Sequence, residues 1–102
     1  MSEIEIGRYT FDIYYSTEDI EDRSGVYAIL DKRKDGYYLI DVGESAQVKT
    51  RIESHDRKAC WESHCQGKIV YGVYYTPYLQ QAGRREIEQE IRDQYNIPCG
   101  EY

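Results

Sequence analysis

Arg51 and His55 stand four residues apart in a segment of helical spacing, which puts them on one face of a helix. A fixed cation beside a group that exchanges protons near neutral pH suits a phosphate whose negative charge grows during reaction. Taken alone, the pair reads as a surface arginine and a capping histidine. Later in the chain come Glu86, Glu88 and Glu90, and helical geometry separates them. With Ile87, Ile91 and Tyr95 as a core-facing stripe, Glu88 lies about 60° from its centre, Glu90 about 100° and Glu86 about 140°. Glu88 is therefore the acid expected to flank the core and reach into a cleft. One inward carboxylate completed by water suits Mg2+, and the plainer alternative is a salt bridge to Arg84 or Arg92. Tyr27 follows a glycine early in an apolar run, where its hydroxyl could position or deprotonate a water. Most of the twelve tyrosines are expected to pack as amphipathic sheet residues.

Cys60, His64 and Cys65 form a compact group of soft ligands, with Cys99 a candidate fourth. The two-residue spacing usual between zinc cysteines is missing, and adjacent His64-Cys65 is awkward for tetrahedral closure. An odd count of three argues against a disulfide framework, so free, mostly buried thiols are expected.

The elements that must hold these groups follow from periodicity. Residues 8–15 alternate, with Tyr9, Phe11, Ile13 and Tyr15 on one side, and predict a strand. The acidic stretch from Ser16 to Ser24 reads as a loop, a short helical turn or a linker. Val26–Leu30 and Tyr37–Val42 predict two strands joined through Asp35-Gly36 as a hairpin. Gly43-Glu44-Ser45 is expected to end the second of these, with Ser45 capping a helix from Ala46 that bends near Asp56. Residues 68–76 predict the last strand, stopped by Pro77, and residues 79–95 the last helix, ended by Pro98 and Gly100. The result is an α+β fold: a small antiparallel or mixed sheet flanked by helices.

At 102 residues, 40% of them hydrophobic, the chain suffices for one compact domain. A mean hydropathy of -0.80 predicts solubility, and no stretch approaches the ~20 apolar residues of a membrane span. The acidic start, Met1-Ser2-Glu3-Ile4-Glu5, does not resemble a signal peptide, so a cytoplasmic location is expected. The net charge of -6 disfavours a polyanionic partner until it is divided. Residues 1–24 hold seven acids against two bases, a net of -5; the remainder holds 12 acids and 11 bases, a net of -1. The body can therefore carry a basic face, drawn from Lys32-Arg33-Lys34, Lys49, Arg51, Arg57-Lys58 and Arg84-Arg85.

In order, Gly25-Val26-Tyr27, Asp41-Val42-Gly43-Glu44-Ser45, Arg51, His55 and Glu88 resemble the motifs of the GIY-YIG nuclease superfamily. The resemblance divides the chain into an added N-terminal strand and acidic loop, residues 1–24, and a GIY-YIG-like domain, residues 25–102. It implies a metal-dependent endonuclease hydrolysing phosphodiester bonds of nucleic acid, DNA foremost. Tyr27 would orient or activate water, Arg51 would stabilise charge on the phosphate, and His55 would assist proton movement or bind phosphate. Glu88 would hold a single Mg2+ or Mn2+. Two positions depart from the pattern. Asp41 stands where the second motif begins with tyrosine, and Glu101 where an asparagine often follows the late proline. Asp41 could act as a general base or a metal ligand. It could equally repel phosphate and mark a catalytically silent module that binds nucleic acid or a protein. Members of that superfamily gain specificity from an added domain or from dimerisation; the chain leaves little room for the former, and a homodimer is a candidate assembly.

Overall fold

In the computed structural model, which describes residues 2–100, alternation along the first fifteen residues produces two strands. Gly7, at φ 62°, turns the chain between β1 (Glu3–Ile6) and β2 (Tyr9–Tyr14), a backbone conformation that costs glycine little. The single N-terminal strand expected from sequence is thus a hairpin. After a 3₁₀ turn at Thr17–Asp19 come β3 (Gly25–Arg33), β4 (Gly36–Ser45), α1 (Val48–Glu53), α2 (Lys58–Ser63), β5 (Lys68–Tyr75) and α3 (Gln81–Gln94). The five strands make one sheet in the order β1-β2-β5-β3-β4, with every neighbouring pair antiparallel.

Alternation along β3 sorts its side chains between two cores. Val26, Ala28 and Leu30 join Phe11, Ile13, Ile87 and Ile91 under α3. Tyr27 and Ile29 face the other way, to Val48, Ile52 and Trp61 of α1 and α2. Each fully buried aliphatic side chain contributes roughly 1.5–3 kcal/mol, so covering both faces is what holds so short a chain together.

Several boundaries differ from the sequence reading for local reasons. β4 runs through Gly43-Glu44-Ser45 because these residues pair with Tyr27, Val26 and Gly25. Its register slips where Ile29 opposes Asp41 but Leu30 opposes Leu39, leaving Ile40 as an extra residue. Ser45 caps a turn, accepting from the Gln47 N–H at 3.0 Å, and α1 starts two residues later than expected. The helical segment is broken, not bent, with residues 54–57 separating α1 from α2. Tyr95 is not part of the buried stripe: it terminates α3, is 39% exposed, and its hydroxyl accepts from the Gly7 N–H at 2.8 Å. The acidic stretch is anchored and does not behave as a free linker. Ile20 is buried, and Asp22 accepts from the Thr50 N–H and hydroxyl at 3.0 and 2.6 Å.

The expectation of free thiols fails. Cys60 of α2 and Cys99 form a disulfide across 39 residues, and only Cys65 is a free cysteine. An odd count does not prevent one pair from closing when α2 and the C-terminal segment meet beside β4. Glu101, the departure at the late proline, lies outside the described residues. No helix among the described residues is long and apolar enough to cross a membrane.

Candidate active site

β4 is an edge strand, and an edge leaves backbone N–H and C=O groups without a sheet partner. At the site these groups are satisfied by side chains. The outward N–H of Val42 donates to Asp41 Oδ1 at 2.8 Å, and its carbonyl accepts from Arg92 Nη2 at 2.6 Å. The Ile40 carbonyl at the register slip accepts from the Cys99 N–H at 3.0 Å. Elements from both faces of the sheet therefore meet around this edge: α1 and α2 from one side, α3 from the other.

Where they meet is a cleft of about 370 Å3, lined by Tyr27, Gly43, Glu44, Arg51, Arg57, Arg85, Glu88 and Arg92. Three of the five residues singled out from sequence, Tyr27, Arg51 and Glu88, line it together. The other two lie behind the wall. His55 is buried beneath Tyr27, its Nε2 2.8 Å from the phenol oxygen and its ring packed 4.7 Å from that of Trp61. Asp41 is buried completely and does not line the cleft.

Gly43 makes Tyr27's position possible. The two residues oppose each other across the β3–β4 ladder, and a Cβ at Gly43 would lie 2.3 Å from the phenol oxygen. With no side chain there, the ring lies over the β4 backbone and delivers its hydroxyl to the cleft. Burial, followed by the nearby Asp41 charge, pushes the phenol up to about 12 despite the opposing pull of Arg51 and Arg57. Tyr27 is therefore protonated at neutral pH. Burial first, then the charges of Arg51 and Arg57, push His55 down to about 4, so its imidazole is neutral. The Asp56 carboxylate 3.3 Å from its Nδ1 would be an ion-pair partner only for a charged ring, and Asp56 is too exposed to enforce one.

Asp41 has no oxygen left over. Its carboxylate accepts from Arg57 Nε and Nη2 at 2.9 and 3.2 Å, from the indole N–H of Trp61 at 2.8 Å and from Arg92 Nη2 at 3.5 Å, besides the Val42 N–H. Such an anion is paired, as a buried charge must be. It is placed as a holder of arginines, with no lone pair turned to the cleft for a base or a metal ligand.

Glu88 accepts from Arg92 Nε at 3.0 Å, the one-turn salt bridge that was its plainer reading, and still lines the cleft with 23% of its side chain exposed. Glu44 is held by Arg84 Nε at 2.8 Å, with Arg85 at 3.8 Å. The lining thus carries four guanidinium groups and two carboxylates, a net charge of +2. Glu88 and Glu44 are the lining groups that could give a carboxylate oxygen to a small hard divalent ion, with water completing its shell. They do not fit an ion held by protein ligands alone. Cys60, His64 and Cys99 have ligand atoms within 4.8 Å of one another, but the disulfide leaves no thiolate to bind metal.

Sequence reasoning did not place Arg57, Arg92, Trp61 or Glu44 at the site. Arg57 appeared only among the scattered basic residues, and Arg92 only as the neighbour of Glu88 one turn on. The lone tryptophan was a usable signal, because a buried indole N–H requires an acceptor. Comparison with protein families, with curated proteins and with solved structures returned no match.

Proposed function

We propose that this protein is a divalent-metal-dependent phosphodiesterase acting on nucleic acid, DNA foremost, and that its chemistry resembles that of GIY-YIG endonucleases. The observation that carries the reading is the convergence of Tyr27, Arg51 and Glu88, distant in sequence, on one net-positive cleft. The roles follow from what each group can do. Arg51 and Arg85 offer cationic donors at the cleft mouth, with 40% and 69% of their side chains exposed, and these would draw and hold a phosphate. Tyr27, protonated and held from behind by His55, would orient a water or donate to a phosphate oxygen. His55 would set the phenol's direction and not touch substrate. Glu88 would hold the ion, which when bound supplies Lewis-acid stabilisation of phosphoryl charge.

Supercoiled plasmid in Mg2+ or Mn2+ tests this. Nicking is expected, and Tyr27→Phe, Arg51→Ala and Glu88→Ala should each abolish it. Clean preparations that bind DNA but never nick it overturn the enzyme reading. A second reading is favoured by the high pKa of Tyr27: a phenol that keeps its proton suits a silent module that grips phosphate without cutting. Binding unaffected by metal would mark that outcome. A cytoplasmic location and a homodimer belong to the same proposal, and in a reducing compartment the Cys60–Cys99 bond would be a reversible one.

A further inference from the structure

Arg57, in the cleft lining, is gripped by two parallel bonds to a single carboxylate. Its Nε and Nη2 both donate to Asp41, while the guanidinium itself lines the cleft with 23% of the side chain exposed. Burial works against its charge, but the hydrogen bond and charge of Asp41 outweigh it and raise its pKa further. The cation is permanent and its plane is fixed. Asp41 in turn accepts from the Val42 N–H, the Trp61 indole and Arg92. By contrast, the ion pair of Arg51 is a longer one, 3.7 Å to the exposed Asp56.

We propose that Arg57 is a second anion-contacting residue of the cleft and that Asp41 is the positioning residue that aims it. A fork held along one edge presents its remaining edge, with Nη1, as a preset donor surface. A phosphate meeting it forms charge-assisted bonds without the entropy loss of ordering a long side chain. In this arrangement the aspartate that replaces the second-motif tyrosine faces the arginines and not the substrate. Its charge is spent on Arg57 and Arg92, and what the cleft sees is the arginine. The inference rests on the proposed function only in supposing that the ligand carries phosphate, so it is tested with inorganic phosphate alone, apart from any cutting assay.

The measurement is a titration of the full chain with inorganic phosphate at neutral pH, followed by the NMR signals of the arginine Nε–H groups. Phosphate should move the Arg57 signal. Arg57→Gln should weaken binding about tenfold, the loss expected for a hydrogen bond to a charged group. Arg57→Lys should weaken it similarly, because an ammonium keeps the charge but not the fork. Asp41→Asn should cost a like factor on its own and little more in the Arg57→Gln background, since it acts through Arg57. The proposal is overturned if the Arg57 signal stays still at saturation, if lysine serves as well as arginine, or if the two losses multiply. Should Asp41→Asn not fold, the first two readouts still decide. Phosphate binding at Arg57 without plasmid nicking would remove the nuclease reading and leave this one standing.

Discussion

The phenol oxygen of Tyr27 lies 2.8 Å from Nε2 of His55, and the direction of that bond is fixed by a third residue. The backbone N–H of Arg57 donates to His55 Nδ1 at 3.0 Å, so Nδ1 has no proton and Nε2 must carry it. His55 therefore donates and Tyr27 accepts, leaving the phenol's own proton for the cleft. A neutral, correctly oriented imidazole is required for this, and burial with the charges of Arg51 and Arg57 supplies it.

That neutrality has a signature in the pH dependence of stability. The imidazole is held down to about 4 in the folded protein, while the unfolded chain binds a proton near 6.5. Between those values the unfolded state is the better proton acceptor, so stability is complete above about pH 6.5 and falls as the pH drops towards 4. The expected loss is up to about 3 kcal/mol. Urea denaturation across this window should show the decline, and His55→Gln should flatten it. A variant with the same slope as the wild type would place the titration elsewhere.

Gly43→Ala should be costly for a reason unrelated to strand propensity. The new methyl would sit 2.3 Å from the Tyr27 oxygen and 2.4 Å from its Cζ, over a ring that is itself fully buried. Overpacking of this kind costs typically 1–3 kcal/mol. Denaturant titration should show that loss, and Tyr27→Ala in the same chain should relieve part of it. If the double variant is as strained as the two single changes added together, the ring is not what the methyl meets.

How far the sequence exposed all this depends on the kind of signal each residue emits. The strand at Val26–Leu30 is legible from its run of β-formers, which fixes Tyr27 and Ile29 on one face, and Glu88's flank of α3 from its angle to Ile87 and Ile91, because regular elements repeat. Arg57 emits no such signal. It sits in the break between α1 and α2, where no period holds, and its role appears only when β4's edge brings Asp41 beside it. The same is true of Cys60 and Cys99. Their pairing depends on where the chain goes after α3, and spacing along the chain carries no record of that. Asp41 was visible as a departure from a motif, but its meaning came from five donors contributed by four residues.

The Cys60–Cys99 bond closes a loop spanning 39 residues that contains β5 and α3. In the chain-entropy account, opening such a loop releases the unfolded state by about 4 kcal/mol. Thermal unfolding with and without a dithiol reductant should show the difference. A thiol count on the denatured protein should rise from one to three on reduction. Because Cys60 adjoins Trp61, reduction is also expected to disturb the indole bond to Asp41, which tryptophan fluorescence would register.

Metal affinity should depend on the anion. Before any phosphate enters, the cleft lining is net +2, and the carboxylate of Glu88 already accepts from Arg92, so a divalent cation meets repulsion with one shared ligand in return. A phosphodiester reverses both terms by adding negative charge and oxygen ligands. Free Mn2+ followed by electron paramagnetic resonance should show weak binding to the protein alone. Affinity should rise by about tenfold or more with a dinucleoside phosphate present, a coupling of the usual 1–3 kcal/mol size. The same coupling must appear in reverse, as tighter binding of the dinucleotide when Mn2+ is added. Glu88→Gln should remove the coupling and leave metal-free binding of the dinucleotide intact or strengthened, since it takes a negative charge out of the cleft. Tight Mn2+ binding without any anion would mean the ion sits somewhere other than beside Glu88.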